Sequence, residues 1–167
     1  METTSDALLV IDLQKGVCYG DQTIDQLSTL ITLVNQRIET YREQRKSIIF
    51  IQHCDLDLPF QSAAWEILTD LKRKETDFII QKTHANAFYQ TDLQLLLQAH
   101  QISSLEICGA QTEFCVDTTI KFAHGLGYHL SMKRGASTTY DNSFLSAAET
   151  IAFYETIWAQ RFLHFIE

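Results

Sequence analysis

The chain has 167 residues, the size of one domain of the usual ~100–200 residues with a core of its own. Hydrophobic residues make up 46% and charged residues 20%, which excludes a disordered, collagen-like or low-complexity polymer. Thirteen Lys and Arg stand against 21 Asp and Glu, a net charge of −8, and this acidic balance argues against a nucleic-acid backbone or an anionic membrane surface as partner.

In chain order, ALLVID (Ala7 to Asp12) is short, continuous and rich in branched residues, which predicts a strand buried on both faces. A turn region around Gly16 and Gly20 leads into a helix from about Thr23 to Gln44, with Leu27, Leu30, Ile31, Val34, Ile38 and Tyr41 on one face. Thr23 and Gln26 fit a capping box at its start. SIIFIQHC (Ser47 to Cys54) predicts a second buried strand, the stretch from Asp55 to Lys74 is irregular, and DFIIQK (Asp77 to Lys82) predicts a third strand. A helix from about Thr91 to His100 carries Leu93, Leu96 and Leu97 on one side. SLEICGA (Ser104 to Ala110) is a fourth strand. Thr112 is placed to cap a helix that buries Val116, Ile120 and Ala123 and stops near Gly125 or Gly127. A fifth strand lies in YHLSMKRGA, a helix spans about Ser143 to Tyr154, and LHFI predicts a sixth strand at an edge.

Alternating strands and helices of this kind predict an α/β fold, a three-layer α/β/α sandwich around a mainly parallel six-stranded, Rossmann-like sheet. One Pro and six Gly, with no linker-like run, make residues 1–167 a single domain. The four cysteines, Cys18, Cys54, Cys108 and Cys115, show neither a CxxC pair nor zinc-type spacing. The opening METTSDALLVID lacks a basic region followed by an apolar run, and no stretch of ~20 apolar residues could span a bilayer. Free thiols in a reducing cytoplasm are the expectation.

Ligands of parallel sheets bind beyond the carboxyl ends of the strands. That rule collects Asp12, the group His53-Cys54-Asp55, Lys82 and the segment Gly109-Ala110-Gln111-Thr112-Glu113-Phe114-Cys115 on one rim. Singly, Asp12 reads as a turn former, Lys82 as a solvated strand end and Cys115 as a small core residue. Together they supply a carboxylate to take a proton, an ammonium to steady charge and a thiol to attack a carbonyl. Cys115 falls in a first helical turn, where the dipole and free N–H groups favour a thiolate and can hold an oxyanion.

The segments ALLVIDLQ, QKTHANAFYQTDL and above all GAQTEFCVDTT resemble those of the isochorismatase-like cysteine hydrolases, and the resemblance covers nearly the whole chain. It implies a six-stranded parallel sheet between helices, a homodimer or higher homo-oligomer, and a triad of Asp12 as general base, Lys82 as electrostatic partner and Cys115 as nucleophile. It further implies a cis peptide between Ala110 and Gln111, which turns the Gln111 N–H, with that of Cys115, toward the substrate carbonyl oxygen. Nicotinamidase-type members carry Asp-x-His and a further His around a metal. Here the stretch reads Gln52-His53-Cys54-Asp55 and the later His is missing near Leu58 and Pro59, so no metal and no other cofactor is expected, His53 and Asp55 being at most a two-ligand site. Cys115 favours the amidase branch over vinyl-ether-cleaving members.

The substrate is then a small molecule with an amide-type C–N bond. His53, Trp65, Phe88, Phe114 and Tyr140 are the expected contacts around it, with Phe60 and Tyr19 behind them; core packing is the competing reading for the rings. Cys18, Cys54 and Cys108 read as structural. An inactive family member acting as a binding protein, an isochorismatase- or nicotinamidase-type hydrolase, and a redox-sensing thiol protein are the rival functions. The apolar C-terminal stretch FYETIWAQRFLHFI suggests rings shared with a second copy.

Overall fold

In the computed structural model, which describes residues 4–159 and 161–167, the run Ala7–Ile11 forms β1 with every side chain buried. Residues 1–3 of the opening segment and Gln160 of the C-terminal stretch lie outside the described residues. β2 (Ser47–His53) pairs with one side of β1, and β3 (Phe78–Lys82) lies beyond it. β4 (Ser104–Ala110) pairs with the other side of β1, and β5 (His129–Lys133) lies beyond that. The two-residue β6 (Ser137–Thr138) adds to the end of β4, and β7 (His164–Ile166) closes the sheet next to β5. Every pairing is parallel and the order is β3-β2-β1-β4-β5-β7, with β6 beside β4. All six expected strands are present. The seventh comes from the GASTTYD segment, where two residues are too few for any periodicity to mark them. β3 is an edge strand with alternating exposure.

Helices cover the sheet in an α/β sandwich: the single turn α1 (Lys15–Cys18), α2 (Leu27–Glu43), α3 (Leu93–Ala99), α4 (Asp117–Gly125) and α5 (Ala147–Trp158). The buried stripe of α2 is Leu27, Leu30, Val34, Ile38 and Tyr41, as its periodicity predicts, but Arg37 is buried with them. Arg37 donates through Nε and Nη2 to the two oxygens of Glu106 at 2.6 and 2.7 Å, and the Tyr41 hydroxyl donates to Glu106 Oε2 at 2.8 Å. A carboxylate inside a central strand is thus fully answered, as burial of a charge demands.

Two expected caps and one expected helix start differ. Gln26 adopts φ 50° and Thr23 pairs with Tyr19 in an isolated bridge, so α2 starts at Leu27 without the Thr23–Gln26 box. Thr112 does not cap a helix. It opens a π-helical turn, Thr112–Val116, and donates its hydroxyl to Ser137 Oγ at 3.0 Å. Helix α5 starts four residues later than expected because Asn142 Oδ1 accepts from the N–H groups of Phe144 and Leu145, and Ser146 then caps it in a reciprocal box with Glu149. Gly127, at φ 91°, follows α4 as the left-handed stop. The C-terminal stretch buries Trp158 and Leu163 in the fold, with the Trp158 Nε1–H donated to Asp117 Oδ1 at 2.8 Å, and leaves the Phe153 ring exposed. No helix among the described residues is long and apolar enough to cross a membrane.

The chain builds β1, β2 and β3 outward in one direction and then returns to β1 to build β4, β5 and β7 in the other. The reversal between β1 and β4 opens a crevice at their carboxyl ends. Gly109 sets how closely they approach: it sits at φ 132°, and a Cβ there would lie 2.1 Å from the Ile11 carbonyl oxygen. Only glycine fits such a site.

Candidate active site

Asp12 is the first residue past β1 and takes φ 50°, a left-handed conformation that an aspartate tolerates better than most residues. Lys82 ends β3, in register with His53 and two strands away from β1. At ~4.8 Å per strand that is about 10 Å, which only a long side chain crosses. Its arm is fully buried and its ammonium donates to Asp12 Oδ2 at 2.7 Å and meets His53 Nδ1 at 2.9 Å. The same Nζ lies 3.3 Å from Cys115 Sγ. Cys115, half-buried, sits in the π-helical turn that follows β4. The peptide between Ala110 and Gln111, directly before that turn, is cis.

His53 is held from both sides. Its Nδ1 accepts from Lys82, which leaves the proton on Nε2, and Nε2 donates to Asp55 Oδ2 at 2.9 Å. Asp55 is fixed in turn, because its Oδ1 accepts from the N–H groups of Asp57 and Leu58, both at 2.9 Å. Behind His53 lies Gln14, fully buried. Its Nε2 donates to the carbonyls of His53 (2.9 Å) and Trp65 (2.8 Å), and its Oε1 accepts the His53 N–H at 2.7 Å. One amide therefore ties the ends of β1 and β2 to the irregular segment.

Donor atoms of Asp12, His53 and Cys115 lie within 4.8 Å of one another, a spacing that could suit a metal ion. The Lys82 ammonium already stands at 2.7, 2.9 and 3.3 Å from those three atoms. A second cation among them would meet that charge, so the set fits an ammonium and not a divalent ion. His53 and Asp55 spend their facing atoms on each other.

Burial pushes the Asp12 carboxyl up, and the Lys82 charge pulls it back down. Burial, reinforced by the Asp12 charge, pushes the Cys115 thiol up to about 12. This overturns the expectation of a resting thiolate: desolvation and a facing carboxylate outweigh the helix start and Lys82. The buried Cys18 thiol is likewise pushed up to about 12, chiefly by burial. Unfolded thiols release their protons near pH 9, while the folded ones keep theirs to about 12, so the folded state holds more protons between those values and stability falls as pH rises through them. Melting temperatures from pH 8 to 11 are expected to fall with pH, and more gently in Cys115→Ala, which has lost one of the three thiols that burial pushes up, Cys18, Cys108 and Cys115.

A cavity of about 610 Å³ opens over these residues. Of the predicted contacts, His53, Phe114 and Tyr140 line it, together with Asp12, Gln111 and Cys115. Tyr140 donates its hydroxyl to the Val17 carbonyl at 2.8 Å and so braces the far wall. Two predicted contacts lie elsewhere. Phe88 is buried against Phe122 and Tyr128. Trp65 is turned edge-on to Phe60, and neither ring lines the cavity. Both follow strand ends in sequence, but the loops carry them away from the crevice. Ala110 is wholly buried and lends the site only its backbone. The missed lining residues include Val17, on the single turn α1, and Asp21, Asp57 and Leu58, on loops whose path no periodicity records. Gln14 was legible only as a polar residue inside ALLVIDLQ.

The model of the Isochorismatase domain family matches residues 6–156. The crystal structure of an isochorismatase family protein is 50% identical, superposes with a TM-score of 0.95, and the match covers 96% of this chain and 97% of that one. Streptothricin hydrolase of Streptomyces noursei is 25% identical over 139 residues, 81% of this chain and 50% of that protein, so the chain spans about half the length of that relative. A 64-residue segment is 31% identical to ureidoacrylate amidohydrolase of Acinetobacter baylyi, covering 38% of this chain and 26% of that enzyme.

Proposed function

The chain belongs to the isochorismatase family of hydrolases, and from that footing we propose that it hydrolyses a C–N amide bond of a small molecule through a thioester on Cys115. The observation that carries this reading is the Lys82 ammonium, which joins the Asp12 carboxylate and the Cys115 thiol beneath one cavity. Two relatives named as a hydrolase and an amidohydrolase agree with it.

Asp12 Oδ2 is occupied by Lys82, whereas Oδ1 is buried without a hydrogen-bond partner. Oδ1 is therefore the atom that takes the Cys115 proton, and burial makes it a stronger base than a solvated carboxylate. Lys82 stabilises the sulfur as it becomes a thiolate. Sγ attacks the amide carbonyl carbon, and the oxygen takes negative charge against the N–H groups of Gln111 and Cys115, which belong to residues lining the cavity at the start of the helical turn. The carbonyl re-forms, the C–N bond breaks, and the amine leaves with the proton held on Asp12. Water then gives a proton to Asp12 and its oxygen attacks the thioester. A carboxylic acid leaves and the thiol regains its proton. His53 positions Lys82 rather than touching the reacting carbonyl: its Nδ1 and Asp55 lock the ammonium between the acid and the thiol.

The test is hydrolysis of a panel of small amides in ¹⁸O-water. The expected result is stoichiometric amine or ammonia with one ¹⁸O in the released acid. Release of neither from any amide would overturn the reading in favour of a binding protein.

A further inference from the structure

We propose that the cavity over Cys115 selects amides that carry a positive charge, an ammonium or guanidinium, received at its mouth by the carboxylates of Asp21 and Asp57. This deepens the amide-hydrolase reading and rests on it for the reaction, but not for the electrostatics. The cavity volume of about 610 Å³ suits a small-molecule ligand.

Its charges are one-sided. No Lys or Arg lines it, while Asp12, Asp21, Asp55 and Asp57 do. Two of the four carboxylates are spoken for: Asp12 pairs with the buried Lys82, and Asp55 is held by His53 and by backbone N–H groups. Asp21, on the loop after α1, and Asp57, on the loop after β2, are exposed, and their carboxylates have no hydrogen bond or ion pair among the described residues. A carboxylate-bearing substrate finds no cation at any depth of this cavity, because His53 has both nitrogens engaged and the Lys82 ammonium is enclosed by Asp12, His53 and Cys115. A cationic substrate finds two free carboxylates at the entrance, in a protein of net charge −8.

Two experiments separate this proposal from the catalytic one. In the first, the specificity constants of 4-aminobutanamide, pentanamide and succinamate, which differ chiefly in terminal charge, are compared. The expected order is cation above neutral above anion, with about tenfold per step at low salt, narrowing at high salt. The double variant Asp21→Asn/Asp57→Asn is expected to flatten that order. The second needs no hydrolysis. Cys115 is modified with (2-trimethylammonioethyl) or (2-sulfonatoethyl) methanethiosulfonate: its sulfur attacks the divalent sulfur, a mixed disulfide forms, methanesulfinate leaves, and the thiol proton passes to solvent. Peptide mapping isolates Cys115 from the other thiols. The cation-to-anion rate ratio at Cys115 is expected to exceed that of a small free thiol by about tenfold and to fall toward it in the double variant. A ratio equal to that of the free thiol, or one unmoved in the double variant, would overturn the charged mouth. The expected ratio with no amide turned over would leave the mouth standing and sink the hydrolase reading instead.

Discussion

Replacing Cys115 by alanine is expected to lower turnover of any amide substrate by roughly 10⁴–10⁶-fold while leaving the fold intact. The magnitude follows from the division of labour in the site. In the proposed mechanism Asp12 and Lys82 move a proton and hold a charge, and the sulfur alone forms the bond that splits a slow hydrolysis into two faster steps. What survives is binding and the backbone N–H groups, which act on a carbonyl that no longer has a nucleophile beside it. Stability changes little, because Cys115 is half-buried at the cavity wall and alanine leaves no unpaired charge there. Cys115→Ser completes the argument. A serine hydroxyl is less acidic than the thiol and does not ionise against Lys82 alone, so this variant is expected to retain at most about one-thousandth of the activity. Initial rates together with circular-dichroism melts check both halves. A Cys115→Ala protein that turned over amides within tenfold of wild type would exclude covalent catalysis by this thiol.

Breaking the Asp12–Lys82 pair has the next largest effect, and it acts on stability as well as on rate. Lys82 is fully buried and Asp12 nearly so, at 0% and 3% side-chain exposure, with 2.7 Å between Nζ and Oδ2. Taking away one partner leaves the other as an uncompensated buried charge, which costs about 3–5 kcal/mol. For a chain of this length that lowers the melting temperature by roughly 10 °C. Lys82→Met keeps the length of the arm and removes only the charge; Asp12→Asn keeps the shape of the acid. Each single variant is expected to melt lower and to lose activity by about 10³-fold or more. The double variant Asp12→Asn/Lys82→Met, which restores neutrality, is expected to recover most of the stability and none of the activity. This split separates a catalytic pair from a structural one. Recovery of activity in the double variant would exclude a catalytic role for the pair, and single variants as stable as wild type would exclude a buried, mutually compensating pair.

Much of this was legible in the sequence, for identifiable reasons. The strands β1, β2 and β4 are continuous runs of branched residues, and their ends follow from where those runs stop. Once a parallel sheet is inferred, Asp12, Lys82 and Cys115 fall on one rim, and their mutual approach in the structure needs no further information. Other features were not legible because they are settled across the fold. Phe88 follows β3 by only six residues, yet its loop turns it into the core against Phe122 and Tyr128. Trp65 was placed beside the substrate because it follows the end of β2 in sequence, but it packs on Phe60. The Cys115 thiol was expected as a thiolate because a helix start is local and visible in sequence. The burial and the facing Asp12 that reverse the effect come from β1 and β4 meeting. Gly109 shows the same limit: its necessity lies in the Ile11 carbonyl, almost one hundred residues away in the chain. The carboxylates of Asp21 and Asp57 sit in loops of no periodic pattern, and only the cavity brings them together.

The decisive experiment is intact-mass spectrometry of the wild-type chain quenched in acid during turnover of a panel of small amides, with Cys115→Ala in parallel. The expected result is an adduct on the wild type alone, at the mass of the substrate's acyl group, mapped to the peptide that contains Cys115. Turnover with no adduct, even for amides whose thioesters hydrolyse slowly, or an adduct of equal abundance on Cys115→Ala, would contradict a thioester at this residue.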